Sequence, residues 1–269
     1  MIVTIHTILE ILDEMAPFSL AEEWDNAGLQ VGSPSGEVHN ILVALDPTSQ
    51  AIDYASQIGV QLLLTHHPLI FKPLSRIDID NYPGDVVREA LIKKIAIVAI
   101  HTNLDAARGG INDILSELIG LTEVEVLQKK DLLIDGAAGL GRIGNLRKTI
   151  NLPEMTERIK DVLGIKRLKV MGAEKRKIKR IAVVGGAGGE MVSLASQRGA
   201  DLLITGDVKH HEALTAKTLG LALIDGGHFQ TEKVALNTFA DHFRKRMITL
   251  GHPVSIEKFK DEIEPMKYG

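Results

Sequence analysis

An α/β protein built from two similar halves, each a mostly parallel sheet flanked by helices, is the architecture this sequence predicts. Three observations carry that reading. Short apolar runs bounded by turns alternate with amphipathic stretches, which is the pattern of buried parallel strands joined by crossover helices. The same order of elements returns later in the chain. Laid over each other without a gap, residues 41–65 and 181–205 are identical at nine of 25 positions. The matches include Ser56-Gln57 with Ser196-Gln197 and Gly59 with Gly199, which are not apolar, so they point to an internal duplication rather than to generic strand composition.

The elements follow in order. Ile5, Ile8, Leu9, Leu12 and Met15 carry the three-and-four spacing of an amphipathic helix over 4–16, ended by Pro17. A strand is expected at 41–46, a helix at 48–58, a strand at 62–68 closed by Pro68, a helix at 84–94 and a strand at 95–101. The second series runs strand 181–186, helix 190–198, strand 201–207, helix 210–219 and strand 221–227, then a last helix over 229–248 and a polar tail. Between them, 122–180 is richer in charge, with the glycine-rich stretch 136–146 and a helix at 153–163. The basic run 169–184 reads as a solvated edge strand and turn. The expected division is 1–125 and 126–269.

Composition narrows the chemistry. Among 269 residues there is no cysteine, so a metal would be held by nitrogen and oxygen donors, which suits Zn, Mn, Fe, Co, Ni or Mg. A net charge of −4 argues against a broad nucleic-acid surface. The N-terminal residues lack the basic and uninterrupted apolar regions of a signal peptide, and no segment has the roughly 20 apolar residues of a membrane span. A cytoplasmic protein is expected.

Ligands of parallel α/β sheets bind just past the C-terminal ends of the strands, and the histidines gather there. His66 and His67 follow LLLT; His101 ends IAIVAI, with Asp105 four residues on. Asp207 ends DLLIT ahead of His210 and His211, and Asp225 precedes His228 and Glu232. Adjacent strand residues point to opposite faces, so His66 and His67 are expected to serve two neighbouring ions rather than to chelate one. His228 and Glu232 share one face of a helix start. His101 is read either as a ligand or as a group orienting Asp105, and His210 and His211 either as ligands or as a helix cap. The glycine-rich turn 185–191 is read as a tight β-to-α connection, with phosphate binding by its amides as the alternative. Asp25 and Asn26 are candidates for shaping the pocket, and Lys72 and Arg76 for attracting an anionic substrate.

The motifs WDNAGLQVG (24–32), THHPLIFKPL (65–74), HTNLDAARGGIND (101–113), GLGRIG (139–144), GDVKHHEA (206–213) and DGGHFQTE (225–232) together resemble the family of GTP cyclohydrolase 1 type 2 homologues, also called the NGG-interacting-factor-like family. The resemblance runs from about residue 5 to 250. It implies two α/β halves, a toroidal homohexamer and two divalent ions per subunit. Residue by residue, it implies Asp105 and His67 at one ion, His66 and His228 at the other, and Glu232 bridging; it prefers Asp105 to His101 and sets His210 and His211 aside. The activity it implies is a metal-dependent hydrolase with Glu232 handling protons, its substrate open. The alternative is a non-enzymatic metal-binding regulator or scaffold that acts as a ring. Nucleic acid and membrane are not expected partners.

Overall fold

The structure is a computed structural model that describes residues 2–130 and 138–266. Gly136 and Ala137, which open the glycine-rich stretch, and the last three residues of the tail lie outside them. In chain order the elements begin with α1 (Ile5–Met15), β1 (Gly28–Val31), β2 (Asn40–Ala44), α2 (Ser49–Gln57) and β3 (Leu62–Thr65). Then come α3 (Gly84–Ile92), β4 (Ala96–Ala99), α4 (Thr102–Ala106), α5 (Ile111–Ile119), β5 (Leu121–Lys129) and β6 (Gly139–Asn151). α6 (Leu152–Leu163), β7 (Lys169–Met171), β8 (Lys177–Ala187), α7 (Val192–Gln197) and β9 (Leu202–Gly206) follow. The series ends with α8 (His210–Leu219), β10 (Ala222–Asp225), α9 (His228–Thr249) and β11 (Ser255–Lys258). Two units result, Met1–Leu104 with Leu236–Gly269, and Asp105–Ala235. No helix among the described residues is long and apolar enough to cross a membrane.

The first unit holds a five-stranded sheet in the order β1-β4-β3-β2-β11. β2, β3, β4 and β11 are parallel, and β1 runs antiparallel to β4. Leu42, Leu63 and Ile97 pack on one face against Ile52 and Ala55 of α2 and Val86, Val87 and Ala90 of α3. Burying such a side chain stabilises the unit by about 1.5–3 kcal/mol each, so this layer outweighs the surface ion pairs. α2 begins where Thr48 accepts a hydrogen bond from the Ala51 amide at 3.1 Å, an N-cap that satisfies an otherwise orphaned donor. Two strands were not expected. β1 lies in WDNAGLQVG, whose glycines read as turns, and β11 lies in the polar tail; each is an edge strand with one face in water, so neither shows an apolar run.

The second unit holds a six-stranded sheet in the order β5-β6-β8-β9-β10-β7. Its centre, β8-β9-β10, is parallel, and β5, β6 and β7 pair antiparallel at the margins. β5 and β6 occupy the charged stretch that the sequence left unassigned. Each mixes buried and exposed stretches along its length, which dilutes the apolar pattern. The expected edge strand at 169–184 resolves into β7, at the sheet margin, and β8, one of its central strands. Leu203, Leu223 and Val184 face Met191, Val192, Ala195 and Ala216 in the core.

Candidate functional site

In the first unit the chain bends directly after β3, so His66 and His67 are no longer held to opposite faces. Their ring centroids lie 5.1 Å apart, and His101, at the end of the next strand, lies 5.3 Å from His66 and 5.5 Å from His67. One donor atom from each of the three falls within 4.8 Å of the others. The two rings therefore do not project to opposite faces as they would within a strand: β3 ends at Thr65, three residues before the end expected from the sequence.

Each ring is oriented through its Nδ1. His66 Nδ1 lies 2.8 Å from the Ile100 carbonyl, which can only accept. His66 Nδ1 therefore carries a proton, which in the neutral tautomer leaves the lone pair on Nε2. His67 Nδ1 meets the Asp46 carboxylate at 2.8 Å, and His101 Nδ1 meets Asp25 at 2.8 Å. Asp25 also accepts from the Thr102 amide at 3.0 Å and from the Thr102 hydroxyl. Burial is the largest single influence on the Asp25 carboxyl and pushes its pKa up. The bonds from His101 and Thr102 together outweigh it and hold the pKa at about 2.

The second unit carries Asp105, His228 and Glu232. The last two sit one turn apart at the start of α9, with His228 Nε2 3.2 Å from Glu232 Oε2. His228 Nδ1 meets the Asp207 carboxylate at 2.8 Å, repeating the orientation found for His67. Glu232 is 3% exposed. Gly186 faces it with φ +66°, and a Cβ there would lie 2.1 Å from Glu232 Oε1; the space belongs to the carboxylate. Asp105, in the last turn of α4, accepts a hydrogen bond on its main-chain oxygen from Asn112 Nδ2 at 3.0 Å.

The remaining candidates fall outside this pattern. His210 and His211 are exposed and contact each other, with ring centroids 5.5 Å apart. Lys72 and Arg76 are exposed. The glycine-rich turn is no phosphate cradle: Gly185 donates its amide to Asn112, Gly186 to Thr231 and Gly188 to Thr205. The orienting roles of Asp46 and Asp207 escaped the sequence reading, although both are carboxylates just past strand ends, the positions that located the histidines.

The donor chemistry fits divalent first-row metals. Imidazoles with Nδ1 committed to a carbonyl or carboxylate present Nε2 as a ligand of fixed direction, and a buried carboxylate stands beside His228. Fold and donors thus define an α/β protein with histidine and carboxylate groups at its strand ends that can bind metal. The chain belongs to the Duf34/NIF3 (NGG1p interacting factor 3) family, whose model matches residues 3–265. It is 35% identical over 260 residues to the GTP cyclohydrolase 1 type 2 homolog of Clostridium perfringens, covering 97% of this chain and 98% of that one. It is 34% identical to the GTP cyclohydrolase 1 type 2 of Helicobacter pylori, covering 96% and 97%. The crystal structure of a Bacillus cereus protein related to NIF3 superposes with a TM-score of 0.94 at 27% identity, over the whole of both chains.

Proposed function

We propose that this chain is a metal-dependent hydrolase that acts in the cytoplasm and binds two divalent ions through His66, His67, Asp105, His228 and Glu232. The observation that carries the reading is the common orientation of His66, His67 and His228, each with Nδ1 held at 2.8 Å by an acceptor. A histidine used only for packing has no need of that arrangement; one that must present Nε2 to a metal does. Family membership and the relatives named for GTP cyclohydrolase support the same reading.

Held by His66, His67, Asp105, His228 and Glu232, divalent ions would supply Lewis-acid polarisation of a substrate oxygen and activation of water at neutral pH. The chain's own groups set the rest. Asp46 and Asp207 keep His67 and His228 in one tautomer, and Gly186 leaves room for the Glu232 carboxylate. Glu232, buried beside His228 Nε2, is the group placed to accept and return a proton. The assembly implied by the resemblance, a homohexameric ring, forms part of the proposal.

Elemental analysis after mild purification is expected to give two ions per subunit, and fewer for His66→Ala or Asp105→Ala. Retention of both ions by either variant would falsify the ligand assignment. Chain loaded with Mn, Zn or Fe is then screened against nucleotides, phosphoesters and cyclic amides. Turnover no faster than that of the His67→Ala, Glu232→Ala double variant leaves a metal-binding regulator or scaffold in place of the hydrolase. A monomeric mass by light scattering removes the ring.

A further inference from the structure

We infer that Asn112 is a positioning residue that sets the placement of Asp105 relative to Glu232, an inference that rests on the metal-binding reading above. Asn112 is 1% exposed, at the second position of α5. Its side chain is used in two directions at once. Nδ2 donates to the Asp105 main-chain oxygen at 3.0 Å, and Oδ1 accepts from the Gly185 amide at 2.9 Å. These partners fix the amide orientation, because a flipped group would set donor against donor and acceptor against acceptor.

The Gly185 contact leads on to Glu232. The next amide, Gly186, donates to Thr231 Oγ1 at 3.0 Å, and Thr231 Oγ1 in turn donates to the main-chain oxygens of Gly227 and His228, at 2.9 and 3.0 Å. Gly186 itself abuts the Glu232 carboxylate, and Gly185 approaches α5 so closely that a Cβ would stand 2.7 Å from Ile111 Cγ2. One buried amide therefore ties the main chain of Asp105 to the glycine turn that walls Glu232 and is bonded to the start of α9. The loop after Asp105 has a separate support. Arg142, 2% exposed, donates to the Ala107 carbonyl at 3.0 Å and pairs with Asp113. That division of labour explains two motifs. GLGRIG holds the loop in place, and the glycine-rich turn 185–191 donates its first amide to Asn112.

Groups that orient ligands from behind typically change metal affinity by 10- to 100-fold. Cobalt(II), whose visible bands report coordination geometry, is titrated into the full chain and three variants. Asn112→Asp keeps the size and the acceptor for Gly185 but removes the donor to Asp105. The helix dipole favours an acidic group in the first turn and offsets part of the cost of burying it; urea melts run beside each titration establish that the variants are folded. Ser116→Ala removes a hydrogen bond to the Asn112 main-chain oxygen and serves as the control for a purely structural loss in α5.

Asn112→Asp and Asn112→Ala are expected to bind cobalt about 10- to 100-fold more weakly with altered visible bands, while Ser116→Ala keeps the parental spectrum. Parental affinity and spectrum in Asn112→Asp would overturn the inference alone. Equal losses in Ser116→Ala and the Asn112 variants would overturn it too, as they would mark a general weakening of α5. A parental chain that takes up no cobalt would instead overturn the metal centre, and the inference with it.

Discussion

Strands β2 and β3 pair in the register Ile41 with Leu62 and Val43 with Leu64; strands β8 and β9 pair in the register Ile181 with Leu202 and Val183 with Ile204. The two registers coincide under a shift of 140 residues. The turns between them coincide as well: Val60 and Ala200 donate to Ala55 and Ala195, beside Gly59 and Gly199 at φ +70° and +76°. Yet under the same shift the strand ends carry different chemistry. His66 is matched by Gly206, His67 by Asp207 and Asp46 by Gly186. In the first unit the end of β3 offers imidazoles and the end of β2 the carboxylate that orients one of them. In the second, the end of β9 supplies the orienting carboxylate, and the imidazole comes from the start of α9. A Cβ at position 206 would lie 2.5 Å from the His228 amide nitrogen, so a histidine matching His66 has no place there. One scaffold was kept, and the imidazole and the carboxylate that orients it changed places.

Exchanging the matched residues breaks this comparison most severely. Gly186→Asp installs the residue of the first unit against Glu232, with φ +66° and a Cβ collision. It is expected to abolish metal binding and to lower stability by about 3 kcal/mol, read from urea unfolding. Asp46→Asn and Asp207→Asn test whether the two orienting carboxylates are equivalent. Each is expected to weaken zinc binding by about 10- to 100-fold in a competition titration; a loss in one variant only would show that the symmetry stops at the backbone.

Acid separates the units further. Asp25, whose pKa is held at about 2 against 3.8 for the free side chain, contributes stability that is complete above about pH 4. That contribution is lost as pH falls towards 2, and amounts to about 2 kcal/mol. Asn at position 25 should flatten the dependence of unfolding on pH over that window, a result checked by melts between pH 5 and 2. The smallest effect concerns the matched threonines. Thr65 Oγ1 donates to the His67 carbonyl at 2.7 Å, whereas Thr205 Oγ1 both donates to Gly186 and accepts from the Gly188 amide. Thr65→Val is expected to cost about 1 kcal/mol and Thr205→Val about 2 kcal/mol, because only the latter leaves a buried N–H without its acceptor.

Elements buried on both faces were legible from composition. β2, β3, β4, β9 and β10 are built on short apolar runs with polar residues only towards their ends, and α8 falls on the expected residues 210–219. Edge and margin strands were not: β1, β5, β6 and β11 mix polar and apolar residues because one side meets water. For the site, spacing located Asp105, His228 and Glu232 along the chain, and clustering at strand ends located His66, His67 and His101. The motifs of the resemblance made the choice among them.

Local order thus settled what repeats along the chain: the parallel cores, the duplicated βαβ unit, and the candidate donors at strand ends. Burial and spacing are properties of neighbouring residues, so they leave a trace in sequence. The partner of each Nδ1 does not. Asp46 stands 21 residues from His67, Asp25 76 from His101, and Asp207 21 from His228. Those bonds exist only because parallel pairing or loop packing brings distant backbone together, and the register that does so is decided by how whole strands bury their side chains.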